Sequence, residues 1–129
     1  MAIRTGNQET GSATVGFLFT ALLSVTVFLG LLQTAVVLHT RATLIDIAGE
    51  AARVAGRHGA SAQDGTKRAH ELLHTVPGDA HVHVEHLTVG TGSIVRVTIS
   101  SDFPILGGFG INEGLTVSGH GVVEEYEDL

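Results

Sequence analysis

The chain has 129 residues, 43% of them hydrophobic and 16% charged, which is too apolar for a disordered protein and long enough for about one domain. Thirteen acids against 7 bases give a net charge of −6, and the six acids from Asp102 onward are accompanied by no base, so a nucleic-acid partner, which needs a basic face, is disfavoured. With no cysteine, a disulfide framework, a Cys-based zinc finger and a thiol nucleophile are excluded.

The first predicted element explains the positive mean hydropathy of +0.32. No charged residue occurs between Glu9 and Arg41, and the centre of that stretch, Val15 to Leu38, is almost wholly apolar. As a helix it is roughly 36 Å long, enough to cross a hydrocarbon core of about 30 Å. A cleaved secretory signal would have a shorter apolar region followed by a small-x-small site; here His39-Thr40-Arg41 follows, so a retained transmembrane anchor is expected. Charge leaves the orientation open. Arg4 precedes the span, while Arg41, Arg53 and Arg57 follow it.

From residue 41 to 58 the helical spacing continues. Leu44, Ala48, Ala51 and Ala55 form one stripe, widened by Ile45, Ala52 and Val54, and Asp46, Glu50, Arg53 and Arg57 form another. The anchor is expected to leave the bilayer as an amphipathic stalk over 40–58. A second helix is predicted over 61–76, with Ala69, Leu72, Leu73 and Val76 on its apolar face and Pro77 ending it. The period then changes to two, and strands are predicted at about 81–89, 93–101 and 114–124, the first two joined by a tight turn at Gly90-Thr91-Gly92. The expected fold is α+β: a long N-terminal transmembrane helix continuing as a stalk, a second short helix, and a three-stranded antiparallel sheet.

Several constellations could carry chemistry. His70-Glu71-Leu72-Leu73-His74 matches H-E-x-x-H, in which two imidazoles one helical turn apart bind zinc and the glutamate acts on the bound water. His81, His83, Glu85, His86 and His120 are candidate third ligands, but the longer metzincin pattern fails, with Pro77 and Ala80 at its Gly and His positions. The competing expectation puts Leu72 and Leu73 in the core and leaves His70 and His74 on a wet flank. His81, His83 and Glu85 alternate and fall on one face of a strand, where a two-His-one-carboxylate site is conceivable and a solvated face is the plainer reading. His39 reads as a residue of the membrane boundary. There is no P-loop, no G-x-S-x-G elbow and no N-x-S/T sequon. The connection 103–111 is unusually apolar: Phe103, Ile105, Leu106, Phe109 and Ile111 either close the end of the core or contact a partner.

The order of these features resembles the TadE-like proteins of tight-adherence (Flp) pilus systems. The resemblance is carried by Gly11-Ser12-Ala13-Thr14-Val15 running into the apolar helix, by Asp46 to Arg53, and by Val95-Arg-Val-Thr, Pro104-Ile-Leu-Gly-Gly and Leu115-Thr-Val-Ser-Gly-His-Gly. It implies a pilin-like minor subunit, non-enzymatic and without a cofactor, whose partners are other pilins or pilus-assembly proteins, a prepilin peptidase and the lipid bilayer. It also implies cleavage between Gly11 and Ser12 and a location in the cytoplasmic membrane, N-terminus inside and C-terminal domain outside, with passage into an extracellular pilus. The expected organisation is then a leader at 1–11, a transmembrane helix at 12–39 and an extracytoplasmic domain at 40–129. One departure stands out: the family usually has Glu at the fifth position of the mature chain, followed by Phe or Tyr, and this chain has Gly16 before Phe17. The helix-packing residues Gly16 and Phe17 therefore lack the carboxylate that would meet a neighbour's amine inside the apolar bundle. Two other readings are a membrane-anchored zinc peptidase using His70, Glu71 and His74, and a membrane adaptor unconnected with pili that captures a partner through 103–111.

Overall fold

A largely apolar stretch followed by a stretch with helical spacing, with no proline in either, sustains a single helix α1 over Glu9–Gly56, 48 residues long. The computed structural model describes residues 9–76, 78–102 and 114–124. The chain divides into two units, residues 1–37 and 38–129.

In the first unit the large apolar side chains of α1 from Val15 to Val36 are exposed, Phe17 by 71% and Phe19 by 69%. The hydroxyls among them are satisfied within the helix. Thr20 donates to the Gly16 carbonyl at 2.9 Å, Ser24 to that of Thr20 at 2.8 Å, Thr26 to that of Leu22 at 2.8 Å and Thr34 to that of Gly30 at 2.9 Å. A helix whose polar side chains bond its own backbone needs no water along its length, which suits a lipid environment. α1 is long and apolar enough to cross a membrane.

In the second unit α1 continues to Gly56, short of the expected 58. Helix α2 spans Ala62–Leu73. It begins with a capping box: the Asp64 N–H donates to Ser61 Oγ at 3.4 Å, and the Ser61 N–H donates to the Asp64 carboxylate at 2.7 Å. α2 stops at Leu73 rather than the expected 76, because the next backbone donors reach back only three residues: Thr75 N–H to the Leu72 carbonyl and Val76 N–H to that of Leu73. The Thr75 hydroxyl caps the same Leu72 carbonyl at 2.8 Å.

Three strands follow, β1 over Ala80–Val89, β2 over Gly92–Ser101 and β3 over Leu115–Val122. They pair antiparallel in the order β1-β2-β3. Gly92 belongs to β2, opposite Val89, so the first turn has two central residues; Gly90, the first of them, has φ +62°, at the position where a type II′ hairpin takes glycine. β1 begins one residue before the expected 81, β2 begins one before 93, and β3 is shorter at both ends than 114–124. Val123 and Glu124 turn away, their N–H groups donating to the carbonyls of Ser93 and Gly56.

One face of the sheet is covered. Val95, Val97 and Ile99 of β2 are fully buried, against Leu44, Ile47, Ala48, Ala51, Ala52 and Ala55 of α1 and Ala69 and Leu73 of α2. The third strand contributes mainly absence. A Cβ on Gly119 would strike the backbone of Ala48 and Gly49, and one on Gly121 would strike the Ala52 carbonyl, so α1 lies directly on the backbone of β3. α2 approaches α1 in the same way: a Cβ on Gly65 would sit 2.7 Å from the Ala55 methyl. The alanine stripe of the stalk is what allows this close contact.

Candidate functional site

The other face of the sheet is open, and the strand register arranges it in rows. Successive rows are His81/Ser100/Thr116, His83/Thr98/Ser118, Glu85/Arg96/His120 and Leu87/Ile94/Val122. Two rows of hydroxyls and imidazoles thus lead to a charged row and then an apolar one, where Val122 is 74% exposed. Nearby Val89, beside the hairpin, is 62% exposed.

A chain of polar contacts crosses all three strands of this face. His83 Nε2 lies 3.1 Å from Glu85 Oε1, the other carboxylate oxygen of Glu85 lies 4.0 Å from Arg96 Nη1, and Arg96 Nε donates to His120 Nε2 at 3.1 Å. The donors dictate the proton positions. A carboxylate can only accept, so His83 Nε2 carries a proton; a guanidinium can only donate, so His120 Nε2 is a bare acceptor. These side chains are two- to three-fifths or more exposed, so their pairing contributes at most about 1 kcal/mol each and serves to fix orientation. In the row below, the hydroxyls of Ser100 and Thr116 are 3.4 Å apart.

The H-E-x-x-H residues do not come together as a site among the described residues. His70 and Glu71 lie on the exposed side of α2, His74 is its C-cap residue and exposed, and Leu73 beside it is buried. Glu71 pairs instead with Arg68 at 3.4 Å, and Arg68 also reaches Glu50 of α1 at 3.9 Å. Among the described residues no three His, Asp or Glu side chains converge on one point where a metal ion could sit. An open groove of about 650 Å³ runs between the stalk and the end of α2, lined by Thr43, Asp46, Glu50, Arg53, Leu72 and Thr75 among others.

The remaining sequence-predicted residues are placed as follows. Gly11 and Ser12 are exposed in the first turns of α1. Gly16 has open space around it and Phe17 is exposed, so both are available to a neighbouring helix. His39 is exposed, its carbonyl accepting from the Thr43 hydroxyl at 3.0 Å. Phe103, Ile105, Leu106, Phe109 and Ile111 lie outside the described residues. Hydrogen bonds from the Ser61 backbone, then from its side chain, hold the Asp64 carboxyl below its ordinary value of 3.8.

Sequence reasoning missed the meeting of Arg96 and His120. The residues are 24 apart, and only the β2–β3 register, with Arg96 opposite His120, brings them together. The signal was present in the alternation of both strands, but it becomes a contact only once the register is known.

The fold defines a class: an α+β chain with one helix near its N-terminus that is long and apolar enough to span a membrane, a second helix and a three-stranded antiparallel sheet. Compared with protein-family models, with curated proteins and with solved structures, the chain matches none.

Proposed function

We propose that this chain is a pilin-like minor subunit of a Tad/Flp-type pilus or a related secretion apparatus, non-enzymatic and assembled through α1. One observation carries the proposal: a single helix leaves every large apolar residue exposed over its first half and buries a stripe of alanines beneath a sheet over its second half. A subunit that must be stored in a bilayer and later packed among like helices needs such a stem, because the same apolar surface serves lipid and neighbour alike. In this reading the domain at 40–129 lies outside the cytoplasmic membrane, and the partners are other pilins or pilus-assembly proteins and the prepilin peptidase. Gly16 gives a neighbouring helix room for close approach but offers no carboxylate to its amine.

The test is the intact mass and N-terminal residue of the protein from native membranes, with and without the prepilin peptidase. A chain beginning at Ser12, formed only when the peptidase is present, supports the reading. A chain that keeps Met1 or Ala2 in both backgrounds overturns processing and leaves a plain membrane anchor.

A further inference from the structure

We propose that the outer edge of β1 pairs with the same edge of a second copy of this chain, antiparallel about a two-fold axis at Val84, with His83 of each copy opposite Glu85 of the other. The proposal does not depend on the pilin reading.

The phase of the β1–β2 ladder decides which backbone groups face outward. The Asp102 N–H donates to the Asp79 carbonyl at 3.1 Å, next to the pair Ala80–Ser101. Hydrogen-bonded and non-hydrogen-bonded pairs alternate along an antiparallel ladder, so the odd-numbered residues of β1 turn their N–H and C=O groups toward β2. Ala80, Val82, Val84, His86 and Thr88 turn theirs away from it, and among the described residues no strand lies on that side. Natural sheet edges are commonly closed to other chains by a bulge, a proline or a lysine. β1, AHVHVEHLTV, contains neither proline nor lysine, and it pairs with β2 one residue to one along its whole length, without a bulge.

Charge complementarity selects a second copy as the occupant and sets the register. Only the even residues can bond across this edge, so a second, antiparallel β1 must keep even residues opposite even ones. Setting Val84 opposite Val84 places His83 opposite Glu85 twice, once on each side of the axis, and overlaps the strands from Ala80 to Thr88. Both are non-hydrogen-bonded positions, where facing α-carbons are about 4.5 Å apart and opposite charges attract. Moving the axis to Glu85 would set carboxylate against carboxylate, and moving it to His83 would set imidazole against imidazole; like charges directly opposite destabilise. Within one chain His83 Nε2 lies 3.1 Å from Glu85 Oε1, so each group exchanges its partner for the same group of the other copy. At the axis Val84, half-buried in the single chain and packed against its core, gains its counterpart as a neighbour. The stalk runs in the same sense as β3, with Ala48 at Gly119 and Ala52 at Gly121, so the two-fold leaves the stalks of the two copies antiparallel.

The experiment is sedimentation equilibrium of the tag-free full chain in detergent micelles, where the anchors of two copies are not held in one plane. The expected result is a dimer. His86→Pro removes an outward-facing N–H at an exposed position without removing a bond to β2, and should weaken the dimer at least about tenfold. His83→Glu and Glu85→His each set like groups opposite one another at both positions and should each weaken it about tenfold. An equimolar mixture of these two variants sets opposite groups together at both positions and should associate as the parent does. Circular dichroism verifies that each variant is folded; if His86→Pro is not, the mixing experiment decides alone. The proposal is overturned by a monomeric parent, by association that persists in the folded variants, which would assign it to another surface, or by a mixture that associates no more tightly than its components.

Discussion

Gly119→Ala is the sharpest perturbation of the helix-on-sheet contact. Two effects oppose each other. Alanine restricts the unfolded chain more than glycine does, which by itself stabilises by about 0.4–1 kcal/mol. Against that, the new methyl would fall within 3.0 Å of the Ala48 carbonyl carbon and oxygen and of the Gly49 nitrogen, all backbone atoms of a helix that cannot move aside locally. Overpacking a formed core costs about 1–3 kcal/mol, with the upper part of that range expected where backbone rather than a side-chain tip must yield. The clash wins, with a net loss of about 1–2 kcal/mol. In a domain of this size that lowers the melting temperature by roughly 4–16 °C. The assay is thermal and urea unfolding of the full chain in detergent, followed by the far-UV signal, with Ser118→Ala on the open face as a control expected within about 0.5 kcal/mol of the parent. A second substitution sharpens the test: because the obstruction is backbone, Ala48→Gly should not rescue Gly119→Ala. Neutral or stabilising behaviour of Gly119→Ala, or rescue by Ala48→Gly, would refute the backbone-contact argument.

Three further outcomes are expected. Ile99, fully buried at the centre of the sheet, should lose about 0.5–1.5 kcal/mol on change to Val and about 2–5 kcal/mol on change to Ala, measured by the same unfolding curves. Ser61→Ala removes the N-cap of α2 and should cost about 1 kcal/mol; since folding lowers the Asp64 pKa, the associated stability is present above the ordinary value and lost as pH falls through the lowered one, so the parent should lose it in acid and Asp64→Asn should show a flatter acid limb. Val27→Arg places a charge in the middle of the apolar span at a cost of about 2.5–3.5 kcal/mol and should move protein from the carbonate-resistant membrane fraction to the soluble one, whereas Val27→Leu should not.

Much of this architecture was readable from residue order, and the reasons differ by element. The apolar helix and its alanine stripe are local patterns, one of composition and one of period, and each survives without knowledge of the rest of the chain. The strands were visible as alternation, and their ends shifted by one or two residues because terminal positions depend on hydrogen bonds such as Val123 to Ser93 that cross from another element. The importance of Gly119 and Gly121 was not visible: a glycine in a strand looks like a weak point until the helix that fills its missing side chain is placed over it. The charged chain on the open face divides the same way. His83 with Glu85 followed from period two, while Arg96 with His120 required a register set over 24 residues.

The glycine seats on β3 make the joint between helix and sheet mechanically stiff. Side chains ordinarily act as a soft layer between packed elements, able to change rotamer when one element turns against the other. Here backbone rests on backbone, at Gly119 beneath Ala48 and at Gly121 beneath Ala52, and the Glu124 N–H is tied to the Gly56 carbonyl at 2.9 Å just beyond. The two seats are spaced by two strand residues and four helix residues, distances that agree within about 1 Å, so they engage together like teeth. One turn further toward the N-terminus the matching helix position is Leu44, too large for either seat. A twist or pull applied to the stalk is therefore delivered to the sheet with little slack.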